Sequence, residues 1–410
     1  AQQNLTEGIL NVMNEYMDMP SFVCICTDAL SNVAFQNERQ RMLASQTNAV
    51  EMLLYAMDRH INIFKVQMQA SRSLANMVSD PKIQRQIDDK GVQTLLNSLN
   101  NTFGQAAVQN SLQNQMQQDQ SARAKQGNNQ YAPQQQHSNA MFDQNKGQFA
   151  QQMLVILSYL NSDPRKAQAF GRLGGWQCIK TIQNSIGVWD EAVRATIVGM
   201  LNTMSQNPAI AKCFIDNNFE GYDVLYDMCL EAEPYSLYFY QIFSIITFIA
   251  CKSDKQKLPQ IMMHSFDRKQ LARLMNDALQ QTDNERLMDT VPTLCALTVR
   301  TKDPQVQQYI FNSMVPMHLL KICSGQPGAP NDQFLNYTFI TIYNLSDDPE
   351  RADPFIQNGA IECIAGGSYY QDEYKEEGIT QNGVASLINI CNKTTRKLLP
   401  QQEQLIENMI

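Results

Sequence analysis

A short pattern that ends one helix and starts the next recurs along this chain, and it constrains the fold more than any other sequence feature. In its best copy, residues 73–99, an apolar series spaced by three and four residues ends just before Asp80-Pro81. Aspartate accepts a hydrogen bond from a free amide and proline suits the first helical position, so this dipeptide predicts the capped start of a second helix. Gly91 is expected to end that helix in the left-handed conformation. The apolar stripe that follows predicts a third helix: Val92, Leu95, Leu96 and Leu99.

The same frame returns further along the chain. The segments LSYLNSDP (157–164), LNTMSQNP (201–208) and IYNLSDDP (342–349) each place a proline seven residues after the first apolar residue, as Leu74 and Pro81 do. Ten positions after each proline stands a residue that tolerates a left-handed helix end: Gly91, Gly174, Asn218 and Gly359. Looser copies cover 245–254, 294–304 and 386–395, and neighbouring copies lie 44 to 48 residues apart except across residues 100–147. A unit of two or three helices with nearly this period cannot bury its apolar faces alone, so we predict an all-α, right-handed α-solenoid of about eight repeats.

Composition divides the chain into four segments. Residues 1–27 predict an N-terminal capping helix that is broken at Pro20, and residues 28–99 hold the first repeats. Residues 100–147 are rich in Gln and Asn with almost no aliphatic periodicity, which is typical of a disordered insertion. Residues 148–410 return to the repeat pattern. Our hypothesis for the insertion is that it packs on a partner chain within a larger assembly.

The bulk composition argues against several classes of protein. With 43% hydrophobic residues the chain can bury a large core, and its formal charge of -8 argues against general binding to nucleic acid or anionic membranes. Ten cysteines without close, even spacing favour a reducing compartment over secretion. No apolar run reaches the ~18 residues of a membrane span.

The N-terminus adds little about the compartment. It has no signal-peptide pattern, and it begins with Ala1, which removal of an initiator methionine or of a longer targeting peptide would both leave. We expect an intracellular protein, cytoplasmic with cytoskeletal or ciliary sites included, and a mitochondrial location is the alternative.

Residues that could carry chemistry are scattered. The four histidines lie far apart, whereas a zinc site needs four nearby nitrogen or sulfur ligands. Cys24 and Cys26 lie in an apolar run with no second pair, which is typical of buried residues. Phosphate-binding glycine motifs, HExxH and GxSxG are all absent from the sequence. We therefore expect a protein that is not an enzyme, uses no cofactor, metal or small-molecule substrate, and has other proteins as its partners.

Asparagine occupies one equivalent position on the last helix of four units: Asn32, Asn76, Asn344 and Asn389. Its amide offers both a donor and an acceptor to a backbone, so these residues are candidates for partner binding. The alternatives are that each caps a neighbouring loop, or that an Asn-rich chain places some of them there by chance. Three other residues at this position are included as candidates: Tyr159, Thr203 and Phe248.

The anchors ALSNVA (29–34), SLANMVSDP (73–81) and IYNLSDDP (342–349), the last followed by NGAIECI (358–364), resemble the armadillo-repeat family. The resemblance implies armadillo-like repeats along nearly the whole chain apart from the insertion. It also implies that the third helices line a superhelical groove, in which the four asparagines bond the backbone of an extended partner segment. Nuclear-import adaptors of this family carry tryptophan four residues before the asparagine. This chain has other residues there, which argues against recognition of nuclear localisation signals: Asp28, Arg72, Ile340 and Ala385.

The function expected from these features is a non-catalytic scaffold for protein–protein interaction. The leading hypothesis is a structural or accessory subunit of a large multiprotein assembly, which binds its partners through solenoid surfaces and the Gln-rich insertion. The alternative is a soluble armadillo adaptor that binds extended peptide segments in its concave groove.

Overall fold

The structure is a computed structural model that describes residues 3–35, 37–104, 136–185, 191–232, 236–252, 304–324, 332–369 and 377–409. Four isolated helical positions are described as well: Val291, Leu294, Cys295 and Thr298. Every regular element within these ranges is a helix and none is a strand, which confirms the all-α prediction. Among the described helices, none combines the length and the apolar character that crossing a membrane requires.

The chain divides into two compact units, Ala1–Val224 and Leu225–Ile410. The helices of the first unit are α1 (Gln3–Glu15), α2 (Pro20–Ala34), α3 (Glu38–Ala44), α4 (Ala49–Arg59), α5 (Phe64–Met77), α6 (Pro81–Gln86), α7 (89–104), α8 (Gln136–Leu160), α9 (Pro164–Arg172), α10 (Gly175–Ser185), α11 (Glu191–Gln206) and α12 (Pro208–Ala211). A 3-10 turn, Lys212–Phe214, leads into α13 (Asp216–Glu231), which contains the boundary between the units.

The described helices of the second unit follow α13. They are α14 (Leu237–Lys252), α15 (Pro304–Phe311), α16 (Val315–Cys323), α17 (Asp332–Leu345), α18 (Pro349–Gln357), α19 (Ala360–Tyr369), α20 (Glu377–Lys393) and α21 (Pro400–Met409). Within this unit α17 packs on α20, α16 packs on α19, and α19 also contacts α21.

The first unit is held together by helices that end each predicted repeat, which we call the third helices: α2, α5, α8 and α11. The helix α5 packs on both α2 and α8, and α8 also packs on α11. Each third helix buries a leucine two residues before the candidate position, and the second unit buries an apolar residue at the same point of the frame. None of these side chains is more than 2% exposed: Leu30, Leu74, Leu157, Leu201, Ile246, Leu294, Ile342 and Leu387.

Four helices begin at an aspartate or asparagine followed by proline, as the sequence predicted. In each case the side chain before the proline accepts a hydrogen bond from the backbone amide two residues later, which satisfies one of the free amides at the helix start. The distances are 2.8 Å for Asp80, 2.8 Å for Asp163, 3.0 Å for Asn207 and 2.9 Å for Asp348. The predicted capped starts are therefore confirmed.

The helix end predicted at Gly91 is wrong. The helix α6 ends at Gln86, and Gly91 lies inside α7, whose start is capped by Asp88 through a 2.8 Å bond from the Gly91 amide to Asp88 Oδ1. A glycine is needed here for space, because a Cβ at Gly91 would lie 2.8 Å from Ile87 Cγ2. Gly174 and Gly359 have positive φ and closely follow the ends of α9 and α18, as expected. Asn218 also has positive φ, but it lies within α13, so the helix end predicted there is wrong.

The N-terminal segment 1–27 contains one complete helix and the beginning of another. The helix α1 ends at Glu15, and Pro20 is the first residue of α2, where its missing amide hydrogen has no helical partner to lose. The helix α2 packs on α1 and on α5, so residues 20–27 belong to the same helix as Asn32.

The predicted insertion, 100–147, is described only at its two ends, where α7 extends to residue 104 and α8 begins at Gln136; residues 105–135 lie outside the described ranges. The third helices before and after it are direct neighbours, since α5 packs on α8 and Ser71 Oγ donates to Gln152 Oε1 at 2.8 Å. The stacking of third helices therefore continues from α5 to α8 although the chain between them is long.

Candidate functional site

The third helices of the first unit present several of the candidate residues to solvent. Asn32, Tyr159 and Thr203 are all exposed, Tyr159 by 42%, and they lie on α2, α8 and α11. Asp28, four residues before Asn32, faces the same way, because its Oδ2 accepts a 3.5 Å hydrogen bond from Asn32 Nδ2. Its Oδ1 lies 3.8 Å from Nη1 of Arg72, the residue four before Asn76 on α5. We call this exposed row the third-helix face.

Asn76 uses its amide inside the protein. Its Nδ2 donates to the backbone oxygen of Ser31 at 3.2 Å and to Ser31 Oγ at 2.9 Å, both on the preceding third helix, α2. Three residues before it, Ser73 Oγ donates to the backbone oxygen of Thr27 at 2.5 Å. Thr27 and Ser31 are one helical turn apart, as are Ser73 and Asn76, so the hydroxyl and the amide bind two successive turns of α2.

The second unit contains the same arrangement between α17 and α20. Ser386 Oγ donates to the backbone oxygen of Phe339 at 2.7 Å, and Asn389 Nδ2 donates to that of Tyr343 at 3.0 Å. The two accepting residues have the same frame positions as Thr27 and Ser31, five and one residues before the preceding candidate position. The motif Ser-Leu-x-Asn, present as SLAN and SLIN, therefore joins a third helix to its predecessor at both places. We call this pair of bonds the Ser–Asn latch.

The remaining candidates have different surroundings. Thr203 Oγ1 donates to the backbone oxygen of Gly199 in its own helix at 2.9 Å, and Phe248 is half-buried on α14. Asn344 is half-buried, and its Nδ2 has no hydrogen-bond partner among the described residues. The structure thus places Asn32, Tyr159 and Thr203 at the surface, and it gives the amides of Asn76 and Asn389 an acceptor within their own unit.

Two basic residues that the sequence analysis missed bind neighbouring helices from the second position after the helix-initiating proline. Lys166 on α9 donates through Nζ to the backbone oxygens of Gln84 and, at 2.7 Å, of Ile87, where α6 ends. Burial lowers the pKa of Lys166. Arg351 on α18 donates through Nη2 to Gln307 Oε1 at 2.9 Å on α15. The signal for both residues was a basic side chain two positions after the proline of an Asp-Pro pair.

The described part of the chain shows no cluster that suggests chemistry. No three of its histidine, cysteine, aspartate and glutamate side chains are grouped so that they could hold a metal ion. The nine cysteines whose side chains the structure describes are free thiols. Burial raises the pKa of Cys178 and of Cys213 to about 12, so both stay protonated at neutral pH.

Comparison with known proteins adds information on the fold alone. No family model matches the chain, and no curated protein gives a significant match. The crystal structure of SYS-1 is similar with a TM-score of 0.53 and 12% identity, covering 100% of this chain and 75% of that one. An engineered protein gives a TM-score of 0.49 and 13% identity, covering 98% of this chain and 92% of that one. At such low identity the likeness to SYS-1 supports a shared helical fold and carries no information on function.

Proposed function

We propose that the protein is a non-catalytic scaffold for protein–protein interaction, a right-handed α-solenoid of about eight armadillo-like repeats that serves as a fixed subunit of a larger assembly. The observation that carries the proposal is the stacking of α2, α5, α8 and α11, each buried at the same leucine position and each presenting polar or aromatic side chains outward. Stacked helical units of this kind form extended surfaces suited to other proteins.

The Ser–Asn latch favours a fixed subunit over a peptide adaptor. An adaptor of the armadillo type would need free asparagine amides to hold the backbone of an extended segment. Here the Nδ2 atoms of Asn76 and Asn389 each have two acceptors within 3.2 Å. All of them lie on the preceding third helix except Ser346 Oγ, which follows the last residue of α17. Asn389 is also only 8% exposed. A subunit that packs against its partners through surfaces has no need of these amides.

The adaptor remains the second candidate because one observation favours it. Asn32, Tyr159 and Thr203 are exposed on helices of one stack, which is the placement that binding along a row requires. Both candidates belong in a reducing compartment, where the free thiols of the described chain stay reduced.

Affinity purification separates the two candidates. At about 1 M salt the Debye length is only ~3 Å, so contacts between exposed charges are screened whereas a buried apolar interface persists. We expect the tagged protein to copurify with its partners at fixed stoichiometry at this salt concentration. Partners that are substoichiometric and are released by salt would contradict the subunit proposal and support the adaptor.

A variant of the third-helix face tests which surface is used. We expect the triple substitution Asn32→Ala, Tyr159→Ala and Thr203→Ala to reduce partner recovery at least ~5-fold, because a few central side chains carry most of the energy of an interface. The matched control replaces three exposed residues of α9 and α10 with alanine: Gln168, Gln177 and Asn184. Equal recovery with both variants would remove the third-helix face from the proposal.

A further inference from the structure

A groove in the first unit lies away from the third-helix face. It is bounded by α1, by α4 with the two residues before it, and by the segment from the end of α6 into α7. Its volume is about 860 Å³, which falls within the ~300–1,000 Å³ range of clefts that bind ligands. Neither the armadillo resemblance nor the proposed scaffold function uses this surface.

The base of the groove is apolar. Leu10 and Met17 contribute from the α1 side and Met52 from α4, and none of them is more than 7% exposed. The other lining residues are polar or charged except Leu54 and Gly91. The groove therefore combines an apolar base with polar walls. In such a groove the apolar stem of a long side chain can be buried while its polar end stays solvated.

One wall is a stripe of two acids and an aromatic ring on α4. Glu51, Tyr55 and Asp58 are spaced by four and three residues, so they share one face of the helix over about 10 Å, and all three are exposed. Asp88 lines the groove from the other side, and Lys90 is its one lining cation. Three acids and one base give the lining a net charge of -2 over sixteen residues, a far higher density than the -8 of all 410 residues.

Unused asparagine amides complete the lining. Within the described part of the chain, the side chains of Asn11, Asn14 and Asn48 make no hydrogen bond, although all three are exposed in the groove. Asn48 precedes the first residue of α4, where an asparagine ordinarily caps the helix, yet its side chain accepts no bond from the helix amides. These amides are free to bond the backbone of a bound chain.

We propose that this groove binds an extended, basic segment of a partner protein. Lysine or arginine side chains of the segment would pair with Glu51 and Asp58 and lie over the Tyr55 ring, since a cation is attracted to an aromatic face and to carboxylates. Side chains on one side of an extended strand recur about every 7 Å, so two of them span the stripe on α4. The asparagine amides would hold the segment's backbone.

The test uses the full chain and a fluorescein-labelled peptide of alternating arginine and alanine, followed by fluorescence anisotropy. We expect Glu51→Gln with Asp58→Asn to weaken binding at least ~10-fold, because two charge-assisted contacts are lost. Tyr55→Leu, which keeps an apolar side chain, should weaken it ~3-fold through loss of the cation–π contact. A peptide of alternating glutamine and alanine should bind at least ~10-fold more weakly than the arginine peptide.

The matched control is Glu403→Gln with Glu407→Gln, which removes the same charge from an exposed face of α21 in the second unit. Equal loss of affinity in the groove variant and in this control would overturn the proposal, because binding would then follow only the charge of the whole chain. Equal affinity for the glutamine peptide would overturn it as well. The triple variant of the third-helix face should keep wild-type affinity for the peptide, so failure of the groove and failure of the scaffold proposal give different results.

Discussion

At the scale of the residue, the main finding is the direction in which equivalent asparagines point. The repeat pattern made Asn76 and Asn389 candidates for partner binding. In the sequence a serine stands three residues before each of them, and in the structure the serine and the asparagine both donate to acceptors on the preceding third helix. Periodicity places a residue on a face of its helix, but it does not say whether a side chain at the border of that face reaches inward or outward. The serine was the missing signal, because its hydroxyl lies on the same side of the helix one turn away. It indicated that this side of the helix bonds to the preceding helix.

The Ser–Asn latch should contribute to stability. We expect Ser73→Ala with Asn76→Ala to lower the free energy of unfolding by about 2–3 kcal/mol, since each buried hydrogen bond contributes roughly 1 kcal/mol and the carbonyls of α2 lose their donors. Urea denaturation followed by circular dichroism measures the change. The control, Ser162→Ala with Asn202→Ala, removes the same two groups from exposed positions and should change stability by less than about 0.5 kcal/mol. Equal effects would show that the latch adds nothing.

At the scale of the element, helix starts were predictable and one helix end was not. An aspartate or asparagine before proline fixes a start locally, since the cap and the constrained ring act within three residues of each other. The end of α6 is decided by its neighbours, because Asp88 caps α7 and Gly91 leaves room for Ile87 between them. A glycine in the sequence does not reveal whether it supplies a positive φ or only the absence of a Cβ.

The cap at the start of α9 can be measured by itself. We expect Asp163→Ala to destabilise the first unit by about 1 kcal/mol, because the amide of Arg165 loses its acceptor, while Asp163→Asn keeps an oxygen there and most of the stability. Amide hydrogen exchange at Arg165 should become faster in the alanine variant alone. If both variants exchange alike, the bond at Asp163 does not stabilise the helix.

At the scale of the whole molecule, the helical fold class could be predicted from the sequence because the helix pattern repeats. Agreement between independent copies supported the assignment of each one. The buried position two residues before the candidate site holds across all eight copies, from Leu30 to Leu387. What the sequence did not indicate is that α5 and α8 are neighbours. Their contact is decided by packing between helices distant in sequence, and the Gln-rich composition between them carries no information about it.

The contact between α5 and α8 predicts that the segment between α7 and α8 is dispensable for the stack. We expect replacement of residues 105–135 by about ten Gly and Ser residues, a flexible chain spanning ~17 Å, to leave the unfolding midpoint of the first unit unchanged. Circular dichroism with thermal melting checks this. Loss of the cooperative transition would show that α8 depends on the replaced residues. The same variant in an affinity purification would show which partners need that segment.

The Ser–Asn latch also has a consequence for the order of events during synthesis. In both copies the carbonyl acceptors come earlier in the chain than the serine and asparagine that bind them, by 45 to 47 residues. Because a chain leaves the ribosome from its N-terminus at roughly 5–20 residues per second, α2 is available several seconds before α5 needs it. At both latches the later third helix therefore finds its hydrogen-bond acceptors already outside the ribosome, and it can dock in the direction of translation without waiting for the C-terminus.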